Sequence, residues 1–305
     1  MDDCFSLMPK KVRLVEVSPR DGWQNQEIFI PTENKVELIN RLAACGFKEI
    51  EVTSFVNPKS IPQLRDAAEV LQAIDSFPDL VTSVLVPNRR GLTAALASGA
   101  GKIVFFISAS DTHNKKNLGC SQAETLAEIE AMIKMMPLDR ARRVSLSNVF
   151  GCPYEGKVDY AAVSSLVGSL FALGFNEITL CDTLGVATPD QVYSHCSRLQ
   201  EELPEVDFGL HLHDSCGRAL ACVVAGLQAG IDRYDSAASG LGGCPYAPGA
   251  AGNLATEDLL YCLEGMRIET GIDSHALLEV AIRQTQLTYG GHSHMQSFIG
   301  ACVKR

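Results

Sequence analysis

No apolar run in the 305 residues reaches the roughly 18 that a membrane-spanning helix requires. Positive charge is scarce: 26 Lys and Arg face 36 Asp and Glu, and the net charge of −10 repels phosphate backbones, which excludes a nucleic-acid partner. Met1 to Lys10 is too short and too acidic for a secretory or transit segment. The 11 cysteines contain no Cys-x-x-Cys pair and are odd in number, so they read as reduced thiols, mostly small core residues. A cytoplasmic protein is expected, with neither membrane nor nucleic acid as partner. There is also no Gly-rich phosphate fingerprint after the first strand, where Ser18-Pro-Arg-Asp-Gly-Trp-Gln-Asn25 stands instead.

What is present is a well-buried globule, 46% hydrophobic and 20% charged. Strand-like and helix-like segments alternate along the whole chain. The strands are expected at Val12–Val17, Glu49–Thr53, Val81–Val86, Lys102–Ile107, Arg143–Asn148, Glu177–Cys181, Phe208–His213 and Arg233–Ser236. Most are near-continuous apolar or β-branched runs, as strands covered on both faces should be. Amphipathic stretches fill the gaps: Glu33–Cys45, Gln63–Ile74, Gly91–Ser98, Ala123–Met135, Tyr160–Leu173, Pro189–Glu202 and Arg218–Ala229, with Thr256–Met266 closing the set. Gly46, Gly99, Gly174 and Gly230 follow several of them, and Ser121 with Glu124 forms a capping box. Eight such units predict a (β/α)8 barrel, one domain over residues 1–305. Ser274–Leu287 reads as a helix beyond the barrel, and the Gly-, His- and Ser-rich tail after Tyr289 as flexible.

A barrel gathers its functional residues at the C-terminal ends of its strands. Polar side chains collect there: Arg20 and Asp21, Glu51 and Ser54, Asn88, the Lys115-Lys116-Asn117 loop, Asn148, Asp182 and Thr183, His211, His213 and Asp214, then Cys244. His211 and His213 alternate on one strand and so share a face, as two ligands of one ion should. With Asp21 from the first strand and an amide such as Asn253 they make a mixed nitrogen and oxygen set that suits Mg²⁺, Mn²⁺ or Zn²⁺. The competing reading makes both histidines hydrogen-bonded core residues. Arg20 is either a structural ion pair or a guanidinium facing a developing enolate. Asp182 is either a cap for the following helix or a carboxylate behind the site. Glu51 points into the barrel and needs a partner there, for which Arg20 is the candidate. Cys244 lies in a Gly-rich loop, Gly240-Leu-Gly-Gly-Cys-Pro-Tyr246, built to move over a site.

Read together, Val15-Glu-Val-Ser-Pro-Arg-Asp-Gly-Trp-Gln-Asn25, Glu51-Val-Thr-Ser-Phe55, Gly151-Cys-Pro-Tyr-Glu-Gly156, His211-Leu-His-Asp214, the Cys244 loop and Gly252-Asn-Leu-Ala-Thr-Glu-Asp258 closely resemble the 3-hydroxy-3-methylglutaryl-CoA lyase family. The resemblance runs from about Val12 to the final helix. It implies a metal-dependent barrel of the group that also includes isopropylmalate synthase, acting on an acyl-CoA by retro-Claisen cleavage. It further implies Asp21, His211, His213 and Asn253 as cation ligands, Arg20 as stabiliser of the acetyl-CoA enolate, Cys244 as loop acid or base, and Glu51 and Asp182 as acidic residues of the catalytic centre. Gln24, Trp23, Ser54, Arg143, Ser145, Lys115 and Lys116 are expected around the substrate, the two lysines toward CoA phosphates. A homodimer paired through surface helices is expected.

The chain departs from the family pattern near the substrate. Trp23 replaces the usual Leu, Ser145 the usual Tyr, and Gly290 and His292 stand where tail Asn and Lys are usual. If Trp23 fills part of the acyl pocket, the substrate is shorter by a methylene, as in citramalyl-CoA, a difference worth about 1–3 kcal/mol of discrimination. Two other classes compete with the lyase. A metallohydrolase would place its His-x-His on the first strand rather than the seventh, and a non-catalytic relative would not keep this set of polar residues intact.

Overall fold

Parallel pairing of β1 (Arg13–Glu16) with both β2 (Glu49–Ser54) and β8 (Arg233–Ser236) closes the sheet on itself. Between them stand β3 (Val81–Leu85), β4 (Lys102–Ser108), β5 (Ala141–Ser147), β6 (Glu177–Asp182) and β7 (Asp207–Leu212), each beside its neighbour in chain order. The structure, a computed structural model, describes residues 8–243, 252–291 and 293–303. It is the expected (β/α)8 barrel, with strand ends within two residues of those read from the sequence.

The outer layer comprises α1 (Thr32–Ala44), α2 (Ala67–Ala73), α3 (Arg89–Ala97), α4 (Asp111–Leu118), α5 (Gln122–Met135), α6 (Tyr160–Ala172), α7 (Pro189–Glu202), α8 (Ala219–Gln228), α9 (Thr256–Gly265), α10 (Ser274–Thr285) and α11 (His294–Val303). The capping box of Ser121 and Glu124 starts α5 as expected. Two helices correct the sequence reading. The Lys115-Lys116-Asn117 segment is not a loop but part of α4, whose polar faces hide its period; Ser110 caps it and Gly119, at φ +75°, ends it. The tail after Tyr289, expected to be flexible, contains α11, which starts where the Asp258 carboxylate accepts the His294 and Met295 N–H groups. That cap comes from 36 residues away and has no local signature.

Alternation along each strand sorts the side chains. On β7, Phe208, Leu210 and Leu212 join the core under the helices, while Gly209, His211 and then His213 turn inward. The interior is charged where long apolar runs had suggested otherwise. Lys102 pairs with Glu49 (2.7 Å) and Glu177 (2.8 Å) near the strand beginnings. Above them Arg143, with no exposed surface, reaches Glu51 (2.7 Å) and Asp235 (2.9 Å). Gly209 leaves room for Arg233, whose guanidinium would lie 2.7 Å from an added Cβ.

Barrel closure is also held by Glu16, at the end of β1. Its Oε1 accepts the N–H groups of Ser18 (2.8 Å) and Ala238 (3.0 Å), and its Oε2 accepts the Thr256 hydroxyl (2.8 Å). Complete burial raises its pKa to about 7, and the three donors only partly counter it. A carboxyl whose folded pKa lies above its unfolded value holds more protons in the folded state. Its contribution to stability is therefore full below about 4.5 and is lost as pH rises through about 7, an effect of about 3 kcal/mol. Glu16→Gln keeps an acceptor for the two N–H groups and removes the titration. Urea midpoints at pH 5 and pH 7 should converge in this variant relative to wild type; an equal pH dependence in both would refute the assignment.

Candidate active site

After β1 the chain makes one tight turn, Ser18–Gly22, with the Asp21 N–H donating to Val17 O (2.8 Å). This turn buries Arg20 and Asp21 side by side at the barrel mouth. Across the closure, Asn253 is fixed next to His213 by a bridge of backbone pairing, with the Leu254 N–H donating to Leu212 O (2.9 Å). One carboxylate oxygen of Asp21 and one ring nitrogen each of His211 and His213 lie within 4.8 Å of one another, all buried. Gly242, at φ +135°, completes the packing: a Cβ there would stand 2.2 Å from Asn253 Nδ2.

These residues fit a divalent cation on three counts. The His211 Nδ1 lies 3.3 Å from Asp235 Oδ2, and burial, which favours the neutral acid, is outweighed by Arg143 and by that contact, so Asp235 is held below the usual carboxylate range. An ionised Asp235 only accepts; Nδ1 therefore carries the proton and Nε2 presents its lone pair. That lone pair faces the His213 Nε2 at 3.3 Å, an arrangement that asks for an electrophile. Asp21 is likewise ionised: burial pushes its carboxyl up, but Arg20 and then the two histidines bring it down. Finally, Asn253 donates its amide N–H to Asp21 (2.6 Å) and Leu241 O (2.9 Å) while its Oδ1 is buried without a partner.

Behind the ligands runs a buried chain of alternating charge: Asp21, Arg20, Glu51, Arg143, Asp235, His211. Arg20 bridges Asp21 and Glu51 through Nη1 and Nε, so it is an ion pair, and it also lines the cavity. Asp235 was missed from the sequence. Its signal was there: it is the inward residue of β8 level with His211 once the barrel register is drawn.

The site opens into a cavity of about 720 Å³ at the barrel mouth, lined by Arg20, Asp21, Gln24, Ser145, His211 and His213 and extending along β3 and β4 to α4 and α5. Gln24 also donates to Asp21 (3.0 Å). Several residues expected around the substrate stand elsewhere. Trp23 is buried in the core with its indole N–H on Gln284 (3.2 Å), so it does not fill an acyl pocket. Arg143 is inside the barrel, and the Ser54 hydroxyl is buried outside the cavity wall. Lys115 faces outward and pairs with Asp111 (2.6 Å), and Lys116 lies over the Tyr154 ring (4.8 Å); Asn117 is the residue of that run on the wall. Asp182 accepts the Val186 (3.1 Å) and Ala187 (2.8 Å) N–H groups, shaping the β6–α7 loop, although burial outweighs these bonds and keeps its pKa raised. Cys244 and His292 lie outside the described residues; Gly243, next to Cys244, lines the cavity.

Comparison with known proteins agrees with this geometry. The HMGL-like family model matches residues 11–282. The hydroxymethylglutaryl-CoA lyase of Bacillus subtilis is 46% identical over 274 residues, 90% of this chain and 92% of that protein. The mitochondrial enzyme of Macaca fascicularis is 45% identical over 276 residues, covering 90% and 85%. Among solved structures, the Bacillus subtilis HMG-CoA lyase superposes with a TM-score of 0.92 at 43% identity, covering 96% of this chain and 99% of that one. An HMG-CoA lyase from Acinetobacter baumannii, in complex with coenzyme A and 3-methylmalate, gives 0.91 at 38% identity, covering 94% and 95%. No helix among the described residues is long and apolar enough to cross a membrane. Barrel, strand-end polar cluster and relatives together place the chain in the HMG-CoA lyase family of carbon–carbon lyases.

Proposed function

We propose that this protein cleaves 3-hydroxy-3-methylglutaryl-CoA to acetyl-CoA and acetoacetate, assisted by Mg²⁺ or Mn²⁺. The observation that carries the reading is the buried Asp21, His211, His213 triad beside Arg20 on one cavity wall. A cation held by the triad and Asn253 supplies Lewis acidity toward the C3 hydroxyl and carbonyl oxygens of the substrate. The chain's own groups do the rest. Asp235 orients His211 and fixes its tautomer, and Glu51 and Asp21 hold the Arg20 guanidinium where the enolate oxygen of departing acetyl-CoA gathers charge. A base takes the C3 hydroxyl proton as the C2–C3 bond breaks, the acetyl-CoA enolate takes a proton from the Cys244 thiol, to which we assign this transfer, and the thiolate regains a proton from that base. The location of Trp23 removes the ground for favouring citramalyl-CoA.

Steady-state cleavage of both thioesters tests the proposal. The glutaryl thioester should be preferred by at least about tenfold in kcat/KM, the scale of one methylene. EDTA should abolish turnover, and Mg²⁺ or Mn²⁺ should restore it. Turnover indifferent to EDTA, or a citramalyl preference, would overturn it. We propose cytoplasmic residence and a homodimer on the reduced-thiol pattern and the family likeness; the elution mass of the same preparation reads the dimer.

A further inference from the structure

α10 lies outside the eight β/α units, yet one of its side chains reaches the barrel mouth. Gln284 has no exposed surface, and both heteroatoms of its amide are bonded. Its Oε1 accepts the indole N–H of Trp23 (3.2 Å) and the Ser18 hydroxyl (3.3 Å), while its Nε2 donates to Ala238 O (2.7 Å). An indole N–H only donates and a carbonyl only accepts, so a single orientation of the amide serves all three. Ser18 and Trp23 stand on either side of Arg20 and Asp21 in the chain, and Ala238 follows β8. A second tie joins the same stretches: the Tyr289 N–H, just past α10, donates to Gln26 Oε1 (2.6 Å). The segment that carries Asp21 is thus held to α10 and its continuation at Ser18, Trp23 and Gln26.

A turn this short does not hold its shape alone, because fixing a first turn of backbone costs more than its few hydrogen bonds return. Packing must do so, and it is close: a Cβ on Gly22 would stand 2.9 Å from the Leu241 Cβ. The placement matters because Asp21 has to bring a carboxylate oxygen to the ring nitrogens of His211 and His213, and such constellations tolerate errors of only about 0.5 Å. At the site itself Asp21 is bonded by Asn253 and Gln24, whereas Trp23 and Gln284 stand outside the cavity wall and brace the turn from behind. We propose that Gln284 is a positioning residue: acting through Trp23 and Ser18, it sets the place of the Arg20–Asp21 turn, which makes α10 part of the frame of the cation site. The effect on cation binding rests on the metal reading above; the bracing of the turn does not.

Two variants test this, first in metal-free protein. Gln284→Met keeps the size of the side chain and removes the amide. Trp23→Phe keeps an aromatic ring and removes the indole N–H; it is the milder change and carries the test by itself should Gln284→Met fail to fold. Amide hydrogen exchange of residues 18–26 should quicken about tenfold in each, the scale of a lost hydrogen bond, while β4, β5 and β6 across the barrel exchange as in wild type. Calorimetric titration should show the Mn²⁺ Kd raised about tenfold, as for other groups that orient a ligand from behind it. Combining the two changes should add no more than about twofold to Gln284→Met on either measure, because Trp23 acts through Gln284. A merely structural amide would lower Tm and speed exchange throughout the barrel with an unchanged Mn²⁺ Kd, and that result would overturn the proposal. Exchange of residues 18–26 equal to wild type would do the same and leave the lyase reading intact. Failure of the metal reading is distinguishable: if wild type binds no Mn²⁺, quickened exchange confined to residues 18–26 still supports the bracing, and a uniform change refutes it.

Discussion

Turnover of hydroxymethylglutaryl-CoA should fall at least about a thousandfold when His213 is replaced by Ala, because metal assistance is worth several kcal/mol of barrier and each 1.36 kcal/mol is a factor of ten. The loss should appear in kcat and in metal content alike: wild type saturated with Mn²⁺ and gel-filtered should retain the ion, and the variant should not. Asp235→Asn provides a graded control. It leaves the candidate ligand set in place and removes the acceptor that fixes the His211 tautomer, so roughly a 10–100-fold loss of metal affinity is expected. Turnover of His213→Ala within tenfold of wild type would end the metal assignment.

Arg143→Met should be the most damaging single change to the fold. Arg143 is fully buried between Glu51 and Asp235, and its removal leaves two carboxylates inside the barrel with one partner fewer each. Breaking such a pair from one side is destabilising by about 3–5 kcal/mol, which for a chain of this size corresponds to roughly 5–8 °C in Tm. The sign of its pH dependence follows from Asp235. In wild type its carboxyl is held below the usual range, so its contribution is present above the ordinary Asp value and is lost as pH falls. In the variant burial dominates and the preference reverses. The stability gap between the two should therefore narrow as pH is lowered from 7 toward 4, as read by urea denaturation. A gap that stays constant, or a variant as stable as wild type, would show that the charged interior contributes little.

Much of this molecule is legible in its sequence, for identifiable reasons. The barrel strands are short apolar runs with Gly-terminated helices between them, and local periodicity suffices to find them. Asp21, His211 and His213 are legible because a strand end and a period of two already place them on a common face. Trp23 and Arg143 are not. A resemblance gives a position in the chain, but whether Trp23 points at the substrate or at Gln284 is decided by α10, more than 250 residues away. Arg143 looks like a recognition residue at the start of a run, and only the closed register shows that Glu51 and Asp235 converge on it. The polar helix α4 escapes because its faces differ too little in hydropathy, and α11 because its cap comes from α9.

The span of the site along the chain has a bearing on biogenesis. Asp21 and Asn253 are 232 residues apart and meet only through the pairing of the first strand with the last. A nascent chain that has emerged as far as β7 already presents both histidines but has neither β8 nor Asn253 to complete the ring. Cation capture by this set would thus require the closed barrel, and a bound ion would stabilise the finished state over every partially wound one.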